Sequence, residues 1–329
     1  MIPLQDLVVR FLFTLGNLTA KGDEPRLQLF QCTSCMDTLL HLYISYQRKD
    51  EPLQKGRPSP RKPPAPPINA QETDDVLVKL VRVLANMCIH PAVGPSLATN
   101  TTCIQLLMET LELRSVHESE ELLVNVAAAI NNLSFYQEEN SQIRHNRLAI
   151  AKLMLKLLLS SSMDAMLEAT RVYGNLSLYQ DVRDFIMQNK VHTFTVTLLD
   201  SKRAEMCFSA CGVLTNLALD PPKRVSMALE GASAKLVDCL RDFGPADWQL
   251  AGLACQAIWN LMCSGSETLL DPQERDTLLK VLTTYLEEEA LTWTQNEDIN
   301  KACWESEFLP AAQKLMKALK SQPDIEASV

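Results

Sequence analysis

The chain has 329 residues, 47% of them hydrophobic but only 6% aromatic, with 10 glycines; this composition favours helices and argues against sheets. The formal net charge of −9 lacks the basic face that phosphate neutralisation requires, so the reading excludes nucleic acid as a main partner. No apolar run reaches the roughly 18 residues needed to cross a bilayer, so no membrane insertion is expected.

The predicted elements run in a repeating order. Leu4–Thr19 reads as a helix, followed by a second over Thr33–Gln47. The stretch 48–71 holds 7 of the chain's 17 prolines, too many for a packed helix, and is expected to be a disordered loop. Within it Arg61, Pro64 and Pro67 form a basic residue followed by a Pro-x-x-Pro pattern, and Ser59 precedes a proline as a phosphorylation acceptor would. A solvated insert is the plain alternative. Asp74–Cys88 is the next long helix. Further on, Val182–Gln188, Val191–Leu199 and Lys202–Leu219 make a short, a medium and a long helix in succession. Pro221 opens the same plan again, Gly231 breaks the first helix from Ala234–Leu240, Gly244 and Pro245 turn the chain, and Asp247–Cys263 is the long third helix. Asp271–Glu288 and Asp298–Lys320 read as a degenerate cap, and 321–329 as a disordered tail.

Each long helix carries one small frame: Leu-Gly-Asn-Leu-Thr around Asn17, Leu-Ala-Asn-Met-Cys around Asn86, Ile-Asn-Asn-Leu-Ser around Asn132, Tyr-Gly-Asn-Leu-Ser around Asn175, Leu-Thr-Asn-Leu-Ala around Asn216 and Ile-Trp-Asn-Leu-Met around Asn260. The last four intervals are 46, 43, 41 and 44 residues, a period that marks a helical-repeat array. The first interval, 69 residues, is longer by the proline-rich insert. Only 16 residues precede Asn17, so the first repeat is expected to lack its leading helices, as in the C-terminal part of a longer array or a short isoform. The period places a seventh asparagine near residue 304, where Trp304 stands instead.

The frames, the Gly231 break and the period together resemble the armadillo repeat family. That resemblance implies an all-α, right-handed α-solenoid of about six repeats over residues 1–320, the first truncated, with a C-terminal capping repeat. It also implies that the third helices line a concave groove in which Asn17, Asn86, Asn132, Asn175, Asn216 and Asn260 hold the backbone of an extended peptide. The alternative is that each asparagine ties its helix to a neighbour. One turn before each asparagine stand Phe13, Arg82, Ala128, Arg171, Gly212 and Gln256. In nuclear-import receptors of the family that place is typically tryptophan, which is absent here. Arg82 and Arg171 are candidates to receive acidic side chains, or else solvated helix-face charges.

Other chemistry has thin support. Cys32 and Cys35 have metal-ligand spacing, but only His41 lies close as a third group, and a zinc site needs four ligands. The ten cysteines are scattered, most of them in apolar helices, as small reduced residues of a cytoplasmic protein would be. The five histidines are isolated and no phosphate loop is present, so no enzyme, cofactor or metal is expected.

Three segments narrow the resemblance to axonemal members of the family: Val9–Thr19, Glu168–Ile186, and Cys207–Leu217 with Lys235–Leu250. They imply a monomeric, non-catalytic adaptor for motile cilia and sperm flagella, binding axonemal or intraflagellar transport components through extended segments. The alternative is a general cytosolic adaptor in transport or signalling.

Overall fold

The computed structural model of the chain describes residues 4–47, 70–262, 270–293 and 301–321, and every regular element in them is helical. The loop motif at Ser59, Arg61, Pro64 and Pro67 and most of the tail lie outside the described residues. The chain divides into two compact units, Met1–Val172 and Tyr173–Val329.

The first unit contains α1 (Leu4–Ala20), α2 (Asp23–Gln31), α3 (Cys35–Gln47), α4 (Ala70–Met87), α5 (Gly94–Ala98), α6 (Thr101–Leu113), α7 (Glu120–Ser134), α8 (Gln142–His145) and α9 (Arg147–Leu158). α4 begins at Ala70, so the last two residues of the expected 48–71 loop are helical and the helix starts four residues before the expected Asp74. The long helices stack in order, α1 against α4 and α4 against α7. In α4 the residues Val76, Leu80, Val83 and Met87 recur at three- and four-residue steps, and all are fully buried. Helix starts are fixed locally: the Asn100 side chain accepts from the Cys103 amide at 2.9 Å, capping α6. Positions that the frame places ten before, six before and one after the asparagine are buried at 0% exposure in α4 (Val76, Leu80, Met87) and α7 (Leu122, Val126, Leu133). In α1 the same positions, Leu7, Phe11 and Leu18, are 59%, 62% and 45% exposed.

α10 (Met163–Leu176) carries the division between the units. The second unit continues with α11 (Gln180–Gln188), α12 (Val191–Leu198), α13 (Ala204–Leu217), α14 (Pro221–Leu229), α15 (Ala232–Phe243), α16 (Trp248–Met262), α17 (Pro272–Tyr285) and α18 (Leu309–Ser321). Gly231 sits between α14 and α15 at φ 80°, the left-handed region that the break requires. Lys190 makes the same break between α11 and α12 at φ 55°, a place where the sequence offers no glycine as a signal. Asp271 and Glu274 form a reciprocal capping box at the start of α17, with side-chain contacts of 2.7 and 3.1 Å.

The end of the second unit departs from the repeat. Trp304 opens a π turn, Trp304–Phe308, and its indole N–H donates to the Tyr285 carbonyl at 2.9 Å. Phe308 packs on Trp248 with ring centroids 4.9 Å apart. This turn presses so close to α16 that a β-carbon on Gly252 would lie 2.5 Å from the Glu307 carbonyl oxygen. An asparagine at 304 would have no equivalent role there, because the residue anchors the turn rather than facing a preceding long helix.

Two outcomes test this packing. Gly252→Ala is expected to destabilise by about 1–3 kcal/mol through overpacking against backbone that cannot give way. Gly212→Ala, where the added carbon meets nothing within 4 Å, is expected to gain as much as about 1 kcal/mol from helix propensity. Thermal melts of the two variants check both signs.

A second expectation concerns pH. His192 on α12 is buried, and that burial holds its pKa below the ordinary imidazole value; Glu230 opposes this and Lys190 adds to it. The folded chain therefore keeps His192 neutral while the unfolded chain takes a proton near pH 6.5. Its contribution to stability is complete above that pH and lost as pH falls below it. Denaturant unfolding at pH 7.5 and 5.5 should show a drop that His192→Gln reduces.

Candidate partner-binding surface

Third helices cannot bond to one another through their backbones, whose N–H groups are already spent within each helix. A side chain on one helix must reach a carbonyl on the next. The recurrent asparagine does this. On α4 the Asn86 amide nitrogen donates to the Gly16 carbonyl at 3.0 Å and to the Thr19 hydroxyl oxygen at 3.1 Å. On α7 the Asn132 amide donates to the Ala85 carbonyl at 3.0 Å.

The second unit repeats the bond. Asn216 on α13 donates to the Gly174 carbonyl at 2.9 Å and to the Ser177 hydroxyl oxygen at 3.0 Å. Asn260 on α16 donates to the Thr215 carbonyl at 3.0 Å. In all four cases the acceptor is the residue just before the preceding frame's asparagine. The second contact depends on the residue two after it. Where that residue is Thr19 or Ser177 a hydroxyl completes the pair; where it is Cys88 or Ala218 there is none, and Asn132 and Asn260 make one bond each.

The hydroxyl geometry fixes the roles. Thr19 already donates to the Leu15 carbonyl at 2.8 Å, and Ser177 to the Gly174 carbonyl at 2.8 Å, so each can only accept from the asparagine. Asn17, Asn86, Asn132, Asn175 and Asn216 are half-buried. Asn260 is 6% exposed, and its side-chain oxygen accepts from the Gln256 amide at 2.7 Å.

The two candidate arginines differ. Arg82 is half-buried alongside Gly16 of α1 and has no ion pair among the described residues. Arg171 is held by Glu168 one turn earlier on α10, at 2.6 Å.

A second set of arginines escaped the sequence reading. Arg26 donates to the Thr19 carbonyl at 2.8 Å, Arg183 to the Ser177 and Leu178 carbonyls at 3.0 and 2.9 Å, and Arg224 to the Ala218 carbonyl at 2.6 Å. Each caps the C-terminal carbonyls of the long helix before it, where a cation also suits the helix dipole. The signal was present as an arginine eight or nine residues after Asn17, Asn175 and Asn216. Arg183 is further fixed by Asp220 at 2.8 Å. Burial works against ionisation of Asp220, yet Arg183 and Lys223 together hold its carboxyl below the usual range.

Cys32 is exposed, and Cys35 is partly buried with its thiol pushed up by burial and by the nearby Cys32. Among the described residues no group of three His, Cys, Asp or Glu is placed to hold a metal ion. None of the described helices is long and apolar enough to cross a membrane.

These helix triplets, joined through their third helices, define an armadillo-type α-solenoid, the fold read from the sequence. A designed armadillo repeat protein solved in complex with the peptide (KR)4 superposes with a TM-score of 0.55 at 17% identity, covering 79% of this chain and 95% of that one. An engineered protein reaches a TM-score of 0.58 at 17% identity over 97% of this chain and 79% of that one. No family model matches the chain. Among individual proteins it is similar to Armadillo repeat-containing protein 2 of Mus musculus, 47% identical over 327 residues, and to that of Homo sapiens, 47% identical over 325. Each match takes in 96% of this chain, which spans 37% of the length of these relatives.

Asn216→Ala tests the bridge. It removes the two bonds to the Gly174 carbonyl and the Ser177 hydroxyl, which still bond to each other, and at about 0.5–1.5 kcal/mol per bond is expected to cost about 1–3 kcal/mol. Asn132→Ala, with one bond to lose, is expected to cost less. Paired chemical denaturation curves rank the two.

Proposed function

We propose that the chain is a non-catalytic protein-interaction scaffold whose third helices hold an extended segment of a partner, and that it serves assembly or stability of the axoneme in motile cilia and sperm flagella. The observation that carries the scaffold reading is the row of half-buried asparagines. Asn86, Asn132 and Asn216 spend their amide hydrogens on the neighbouring helix, and among the described residues their side-chain oxygens accept no bond. A polar oxygen repeated once per helix step suits a polypeptide, which repeats its own polar groups. Stacked helices are about 8–10 Å apart and an extended strand rises about 3.3 Å per residue, so each step meets two or three partner residues.

The axonemal part rests on the sequence segments described above and is supported by the similarity to Armadillo repeat-containing protein 2. The second reading is a general cytoplasmic adaptor in transport or signalling, since the fold alone serves many partners. Monomeric behaviour, cytoplasmic and ciliary location, and a role for the proline-rich loop belong to the same proposal.

Affinity purification of the tagged chain from ciliated or testis tissue separates the readings. Axonemal or intraflagellar transport components should be recovered, and Asn86→Ala with Asn216→Ala should lower that recovery about ten-fold per folded molecule. Recovery of junction or nuclear-pore proteins with no axonemal component would sink the ciliary reading. Recovery untouched by the asparagine changes would remove the groove from it.

A further inference from the structure

A thiol reacts with an outside molecule only if it can be reached and ionised. Of the nine cysteines among the described residues, Cys88, Cys103, Cys207, Cys211, Cys239 and Cys255 are buried, and burial pushes the Cys103 thiol up to about 12. On α13, Cys207 and Cys211 stand one turn apart beside Cys239 of α15, so these three thiols are close together but closed off. Cys32 is the exposed one of the nine. Cys35, three residues on, is partly buried.

Cys32 and Cys35 close the turn between α2 and α3. The Cys35 amide donates to the Cys32 carbonyl at 3.1 Å. Of the two residues between them only Ser34 has a positive φ, 63°, the pattern of a type II turn. The Ser34 carbonyl accepts from the Thr38 amide at 2.9 Å and the Thr38 hydroxyl at 2.7 Å, which holds the turn in that form. The ends of such a turn lie within about 7 Å, and a disulfide spans about 4.4–6.8 Å between α-carbons. The two thiols also feel one another: burial raises the Cys35 thiol, and Cys32 raises it further. Residues 31–34 are all exposed, so a small molecule reaches the Cys32 sulfur. Among the described residues no third His, Cys, Asp or Glu joins the pair to hold a metal ion. Two thiols in one open turn, without a metal, are suited to sulfur chemistry.

We propose that Cys32 and Cys35 form a thiol-modification site, a dithiol that a low-molecular-weight disulfide converts to an intramolecular Cys32–Cys35 disulfide. Cys32 loses its proton and its sulfur attacks one sulfur of the small disulfide; that S–S bond breaks, and the first small thiol leaves with the proton. Cys35 then loses its proton and attacks the Cys32 sulfur, and the second small thiol leaves with that proton. Two protein thiols are oxidised, and one small disulfide is reduced to two thiols. The staple acts on the first long helix. α2 buries none of its residues, whereas α3 is anchored by Leu39, Leu40 and Tyr43. Arg26 of α2 caps α1 through the Thr19 carbonyl, and the Thr19 hydroxyl accepts from Asn86. Joining the residue after α2 to the first residue of α3 fixes that cap. The proposal is independent of what the long helices hold.

The test equilibrates the full chain with glutathione at stepped ratios of disulfide to thiol, quenches with acid, alkylates after unfolding and maps the products by mass spectrometry. The peptide holding Cys32 and Cys35 is expected to lose two hydrogens while the six buried cysteines remain alkylated. Cys35→Ser is expected to stop at the glutathione adduct of Cys32, and Cys32→Ser to give no product at the turn. Amide exchange over 23–31 should slow about five-fold in the oxidised wild-type chain, and not in the Cys35→Ser adduct. A wild-type chain that stops at the adduct, a turn that stays reduced, buried cysteines that oxidise at the same ratio, or exchange over 23–31 that is equal in the two states overturns the proposal.

Discussion

Within each unit, neighbouring long helices are held side by side by burial and by an asparagine bridge. The bridge is unusual in its economy. An asparagine amide nitrogen reaches across to the carbonyl just before the previous asparagine, near the C-terminal end of the previous long helix, where the carbonyls begin to lack intrahelical partners. The bridge adds to the hydroxyl bond already made to the Gly16 and Gly174 carbonyls, supplies a partner to those of Ala85 and Thr215, and sets the register of one helix against the next. The frame repeats because the geometry repeats.

That bond also orients the proposed partner-facing side of the long helices. Amide orientation is usually ambiguous, since oxygen and nitrogen can exchange places with little change in shape. Here the carbonyl acceptors and the already committed hydroxyls of Thr19 and Ser177 leave only one orientation, with the oxygen outward. Packing therefore uses one end of the side chain, and in the proposed role recognition would use the other. Changes to Asn86 or Asn216 act on both, and stability and affinity must be measured together.

The arginine caps show the same logic at the other face of the helix end. Arg183 and Arg224 are nearly buried charges, tolerable because each guanidinium meets main-chain carbonyls, and for Arg183 also the Asp220 carboxylate. They close the turn from one triplet into the next. At the end of the second unit aromatic packing takes over that task. Trp248, Tyr285, Trp304 and Phe308 replace the asparagine bridge, and Gly252 permits the closest approach of a turn to a long helix.

The sequence by itself determined the helices, their period and the Gly231 break, because apolar spacing and left-handed turns are local properties that depend on near neighbours in the chain. It also marked the asparagines, since a polar residue recurring once per period in an apolar helix needs a bonding partner that recurs with it. It did not reveal what those asparagines touch. The partners of Asn86 and Asn216 lie in the preceding triplet, 70 and 42 residues back, and the hydroxyls that complete them stand at the ends of the preceding frames with nothing local to show their role. The capping arginines were hidden for the same reason: one charge per triplet, offset from the frame, looks like a solvated surface until the helix ends come together around it. Only the tertiary structure decided which end of each amide is spent and which faces outward, because that choice is made by groups on another helix.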